Sequence, residues 1–110
     1  MIKVRITETA FFSLTQLGRY MSEFISAEEA LTLTEKLIEI GDNKISRFPE
    51  QFPVCPELDF LGITDYRQLT LDKYKILYRH DAASKTAYVT AFLRHKQSAV
   101  ELLISYTLHR

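Results

Sequence analysis

Residues 66–81, YRQLTLDKYKILYRHD, hold the reading of this chain. Tyr66–Leu71 and Lys75–His80 are short runs of alternating character, joined by the turn LDK. Period two with Tyr, Leu and Ile marks two strands at hairpin spacing. In the second run Lys75, Leu77 and Arg79 share one pleat face, and Tyr74, Ile76 and Tyr78 the other. The cations Arg67, Lys75 and Arg79 leave three roles open. They act on a phosphodiester, dock a partner, or sit solvated on a sheet face.

Working outward, the turn DAASK leads into a third run, Thr86–His95. There Val89, Ala91 and Leu93 alternate with Tyr88, Thr90 and Phe92. Both faces are apolar, so this strand is expected to be central or covered on both sides. From Gln97 to Tyr106 the spacing turns helical, with Val100, Leu103 and Tyr106 on one side and Ala99 and Leu102 beside them. Upstream lie all three prolines, at 49, 53 and 56, within residues 47–65. That segment reads as an ordered surface loop, pinned to the core by Phe48, Phe52 and Leu58. Before it, the signature SAEE at 26–29 fits a capping box. It opens a helix with Ala30, Leu33, Leu37 and Ile40 in one stripe, reaching about Ile45, with Gly41 ending or weakening its last turn. An earlier helix carries Phe11, Leu14, Leu17, Met21 and Phe24 with Ile25, capped by Thr7 or Thr9. The short turn between the two helices makes them antiparallel. Ile2–Thr7 alternates as a half-buried strand. The order is N-terminal strand, antiparallel two-helix hairpin, loop, three-stranded antiparallel meander and short C-terminal helix. It predicts an α+β fold, a single domain over residues 1–110 with one sheet under a helical hairpin.

Composition narrows the chemistry. Fourteen basic residues balance fourteen acidic ones, which argues against broad, charge-driven nucleic-acid binding and leaves room for a local basic patch. The single cysteine, Cys55, excludes an intrachain disulfide and reads as an inert small residue in a reducing compartment. No apolar run approaches the roughly 18 residues of a membrane span, and MIKVRITETA lacks a signal-peptide core, so a cytoplasmic protein is expected. P-loop, GxGxxG, CxxC and HExxH motifs are absent. The histidines His80, His95 and His109 are too scattered to suggest a metal site, and no cofactor is expected. Metal-free RNA cleavage needs a base, an acid and cations for the phosphorane. Arg79 and Arg94 would hold the phosphate and His95 would move a proton.

KVRITETAFFSLTQLGRYM, the Ala-rich start of the second helix with the Phe-Pro after it, YRQLTLDKYKILYRHD and AYVTAFLRHKQSAVELL together extend over nearly the whole chain. With these residues the chain resembles the ParE/RelE superfamily of toxins from bacterial type II toxin–antitoxin systems. Two activities share that fold: RelE-like members are ribosome-dependent mRNA endonucleases, and ParE-like members poison DNA gyrase by trapping its cleaved DNA complex. Three features favour the ParE-like side. The chain is neutral, Arg94 and His95 have no aromatic after them until Tyr106, and HKQSAVELL is similar to the ParE-type H-x-R-R-D…LL ending. Gln97 and Ser98 depart from that ending, standing where basic and acidic residues are common. The resemblance implies a cognate antitoxin and gyrase as partners, with Arg67, Arg79, Arg94, His95 and Lys96 as docking residues and no catalysis. The alternative is a ribosome and mRNA, with Arg79, Arg94 and His95 as the catalytic set.

Overall fold

The computed structural model describes residues 1–108. Their elements are β1 (Lys3–Ile6), α1 (Glu8–Met21), α2 (Ala27–Arg47), α3 (Pro56–Asp59), β2 (Tyr66–Thr70), β3 (Tyr74–Asp81), β4 (Thr86–Arg94) and α4 (Ala99–Leu108). The four strands make one sheet in the order β1-β4-β3-β2. β2, β3 and β4 form the expected antiparallel meander, and β1 joins its far side parallel to β4. β4 is therefore central, and both faces are covered as its apolar pattern requires. Under α1 and α2 lie Leu69, Ile76, Tyr78, Val89 and Phe92. Under α3 and α4 lie Leu77, Ala91 and Leu93, met by Cys55 and Leu58.

Local chemistry explains the boundaries. The Thr7 hydroxyl accepts from the Ala10 N–H to start α1. Ser26 and Glu29 exchange reciprocal bonds to start α2, completing the capping box. Several expectations need correcting. α1 ends at Met21, and its buried face is Ala10, Ser13, Leu14 and Leu17, leaving Phe11 51% and Phe24 66% exposed. Phe24 falls in the turn, where its ring meets Tyr20 at 5.2 Å. Gly41 neither ends nor weakens α2. It is buried mid-helix where a Cβ would stand 2.9 Å from the Ile76 Cδ1, so its role is close approach of helix to sheet. Residues 47–65 are not all loop, because Pro56 opens α3 with the preset φ of a first helical position. Leu58 and Phe52 anchor that segment, whereas Phe48 is 48% exposed and does not. Just before α3 the chain follows the outer edge of β2, with Cys55 N–H donating to Tyr66 O and Gln68 N–H to Pro53 O, both at 2.8 Å.

One irregularity reorganises the sheet. Leu77 pairs with Ala91 but Tyr78 pairs with Val89, so Thr90 is an extra residue on β4. Such a bulge reverses which face the following residues take. The uninterrupted alternation of Val89, Ala91 and Leu93 is thus broken. Val89 faces the helical hairpin, Ala91 and Leu93 face α4, and Phe92 returns to the hairpin side. β1 pairs only with Thr86–Val89, so beyond the bulge the β4 edge would stand bare. α1 occupies it with hydroxyls. Thr9 Oγ1 donates to Thr90 O at 3.3 Å, and the Phe92 N–H donates to Ser13 Oγ at 2.9 Å. The Ser13 hydroxyl in turn donates to Ala10 O at 2.7 Å, with the residue 3% exposed.

α4 is held from a distance in sequence. The Ser98 hydroxyl accepts from Glu101 N–H at 3.1 Å and donates to the Glu57 carboxylate of α3. That carboxylate also accepts from Ala99 N–H at 2.8 Å and Val100 N–H at 3.4 Å. A carboxylate at a helix N-terminus satisfies otherwise orphaned donors and complements the dipole. Burial works to raise the Glu57 pKa, but the bonds from Ser98, Ala99 and Val100 and the charge of Lys75 outweigh it and hold the carboxyl below the usual range.

Two outcomes are expected. Ser13→Ala leaves the buried Phe92 N–H without an acceptor, and chemical denaturation should show a loss of about 1–3 kcal/mol; a change under about 0.5 kcal/mol would mean the bond is dispensable. A carboxyl depressed by folding stabilises the native state at neutral pH and loses that effect as pH falls through its folded value. The stability gap between the native chain and Glu57→Gln should therefore be open at neutral pH and narrow as acidification passes below the usual carboxylate range. A gap independent of pH would contradict the role of this carboxylate.

Candidate functional site

Three of the cations singled out in the sequence converge. Arg94 closes β4, and His95 and Lys96 follow it into an open cleft of about 330 Å³ lined also by Met21, Asp72, Lys73 and Tyr74. The His95 N–H donates to Lys73 O at 2.8 Å, joining the end of β4 to the β2–β3 turn. Tyr74 pairs with Arg94 in register, so the two share the hairpin face of the sheet. Its hydroxyl points to the Met21 Sδ at 3.8 Å. Burial, then the charge of Asp72, pushes the Tyr74 phenol up. Arg94 itself lies with Cζ 3.9 Å over the Tyr20 ring centroid. Its backbone is fixed by Gln97, whose side-chain Oε1 accepts from Arg94 N–H at 3.3 Å and whose own N–H donates to Arg94 O at 3.0 Å. A smaller hollow of about 180 Å³, lined by Ser13, Gln16, Leu17, Tyr20 and Gln97, also borders Arg94.

The other cations lie elsewhere. Arg79 pairs with Tyr66 and Tyr88 and stacks over the Tyr88 ring at 5.1 Å. It sits five residues along β3 from Tyr74, about 17 Å at the rise of a strand. It also faces the α4 side, whereas Arg94 faces the hairpin. The pair therefore does not form a common phosphate clamp: the distance along the strand separates them, and the bulge at Thr90 adds opposite faces. Arg67 is tied into the fold: its guanidinium donates to Phe52 O at 2.7 Å. Beside it the Tyr78 hydroxyl donates to Pro49 O at 2.7 Å, and burial pushes that phenol up to about 12 despite the Arg67 charge. Lys75 is 8% exposed, near Glu57, so of Arg67, Lys75 and Arg79 only Arg79 is exposed. His80 pairs with Glu50 at 3.2 Å, and His109 lies outside the described residues.

The cleft is cationic by composition, with Lys73, Arg94 and Lys96 against Asp72. Among the described residues the one ion pair is His80–Glu50, so none of these cations is neutralised by a carboxylate at contact distance. Lined this way, the cleft suits an anionic group. Tyr20, Lys73 and Tyr74 were missed as site residues in the sequence. Tyr74 was recoverable once the third strand is set antiparallel to the second, while nothing local to Tyr20 announces Arg94. Among the described residues no group of three or more His, Cys, Asp or Glu is placed to hold a metal, and no helix is long and apolar enough to cross a membrane.

No family model and no curated protein matches the chain. Solved structures do. A chain of the toxin–antitoxin complex RelBE2 from Mycobacterium tuberculosis superimposes with a TM-score of 0.62 and 20% identity, over 86% of this chain and 98% of that one. A chain of the chromosomal ParDE toxin–antitoxin system from P. aeruginosa gives 0.68 and 19% identity, over 86% and 96%. The isolated E. coli RelE toxin gives 0.50 and 14% identity, over 98% and 99%. The strand, helical hairpin, meander and terminal helix of this chain are thus the fold of the RelE and ParE toxins.

Proposed function

We propose that the chain is the toxin of a type II toxin–antitoxin pair, acting in the cytoplasm as a ParE-like inhibitor of DNA gyrase that traps the cleaved DNA complex. The observation that carries this reading over a nuclease is the separation of Arg79 from Arg94 on opposite faces of the sheet. A metal-free nuclease gathers its phosphate cations with an acid and a base around one scissile bond. Here the cations instead form an open, unneutralised rim at one end of the sheet, suited to docking a protein surface. The zero net charge fits the same reading, since long-range attraction to ribosomal RNA would favour a basic excess.

A cognate antitoxin would have two surfaces available. The outer edge of β1 is unpaired, and the bonds of Lys3 and Thr7 to Lys85 and Val89 turn the Val4 and Ile6 backbone outward for strand addition. A groove of about 340 Å³ between α1 and α2, flanked by the exposed Phe11 and Leu31, suits a partner helix. The outer edge of β2 is already occupied by residues 53–55.

One observation favours an mRNA endonuclease as the second reading: Lys73, Tyr74, Arg94 and His95 share the cleft. The two targets separate cleanly in vitro. With purified gyrase and supercoiled DNA, the chain should accumulate trapped, linearised DNA, and Arg94→Ala should weaken this about tenfold without unfolding the chain. Absence of linear DNA at high excess, with new cleavage inside mRNA on translating ribosomes, would replace the first reading by the second. Absence of both would remove the toxin reading.

A further inference from the structure

We infer that Tyr20 is a positioning residue for Arg94, holding the guanidinium by its face so that its in-plane donors stay free for an anionic group of the partner. The inference rests on reading the Arg94 cleft as the docking site, and it adds a residue from α1 that the sheet cations alone do not suggest.

The bulge at Thr90 turns Arg94 onto the hairpin side, where Tyr20 stands on the last turn of α1. At 3.9 Å from ring centroid to Cζ, the contact is a close cation–π stack. Tyr20 is backed by the Phe24 ring at 5.2 Å. The geometry matters more than the attraction. A guanidinium presents five N–H donors around its edge and none on its face. An ion pair would occupy the edge, as Phe52 O occupies part of Arg67. A ring beneath the face restrains the side chain and leaves the edge available. Among the described residues no side-chain hydrogen bond or ion pair involves the Arg94 guanidinium. Restraint before binding lowers the rotamer entropy lost on binding, which is the general route by which preorganisation raises affinity. The anionic group is a carboxylate or a phosphate presented edge-on, since both match the fork of a guanidinium.

Tyr20 is 38% exposed, so its replacement tests the contact with little effect on the core. The test titrates the purified chain with two probes, a hexaglutamate peptide and tripolyphosphate, following the Arg94 Nε–H resonance by NMR. The expected result is a ring-current-shifted signal and equal affinity in the native chain and Tyr20→Phe. Tyr20→Leu should lose the shift and bind its preferred probe at least fivefold more weakly, and this loss should vanish in an Arg94→Ala background. The tighter of the two probes names the chemistry of the group. Unaltered affinity in Tyr20→Leu, an equal loss in the Arg94→Ala background, or no binding of either probe by the native chain would overturn the inference. Growth inhibition on induced expression is scored separately: a native chain that binds a probe but leaves growth unaffected keeps the positioning role and removes the toxin reading.

Discussion

The extra residue at Thr90 is the constraint on which the rest of this structure depends. Up to Val89, β4 is an ordinary inner strand between β1 and β3. After Thr90 it loses β1 and changes the side to which each residue points. Both consequences require an answer from α1. The bare edge is met by Thr9 and Ser13, whose hydroxyls stand in for the missing strand. The reversed parity places Phe92 against the hairpin and, two residues on, delivers Arg94 to Tyr20. Bulges commonly re-aim side chains near functional sites, and here the re-aimed residue is the cation at the mouth of the cleft.

The same reversal gives the α4 face its own core. Ala91 and Leu93 join Leu77, and the small segment at Pro56–Asp59 closes over them with Cys55 and Leu58. α4 adds Ala99 and Leu102 to that cluster, and it carries one charged residue, Glu101, in Ala99–Leu108. Its attachment is polar at one end and apolar along its length. Glu57 holds the N-terminus, and at Tyr106 a T-shaped contact with Phe12 at 5.7 Å reaches the outer side of α1. α1 thus touches the hairpin core, the sheet edge and the terminal helix, which explains why its buried face uses Ala10 and Ser13 where larger residues were expected.

What the sequence disclosed and what it withheld divide along physical lines. Periodicity and capping report on local backbone energetics. For that reason the hairpin of residues 66–81, the capping box at Ser26–Glu29 and the element order are legible from one chain. The α+β architecture follows from that order. Phe11 and Phe24 misled because a helical stripe says which residues align, and only packing decides which of them meet the sheet. Gly41 reads locally as a helix breaker, yet its use is set by Ile76, 35 positions away. Thr90 carries no local signature of a bulge, so the faces of Ala91–Arg94 were unreadable, and with them the partnership of Arg94. The candidate site was therefore legible as a list of cations at 94–96 and illegible as a geometry.

That distinction bears on how charge makes function in a chain with none to spare overall. Its fourteen cations and fourteen anions cancel, so no net charge draws a partner from long range. Selection must then act at contact range, where pairing decides which charges are available. Arg67 is engaged by Phe52 O and Lys75 lies buried near the Glu57 carboxylate, so two cations of the most recognisable hairpin serve the fold. Arg79 is exposed but stands on the other face, beside Tyr88. At the end of β4 several cations share one opening without a contacting carboxylate, and the guanidinium among them is held by an aromatic face. A neutral protein concentrates recognition in this way at one opening, where an aromatic face restrains one arginine and leaves its donor edge free.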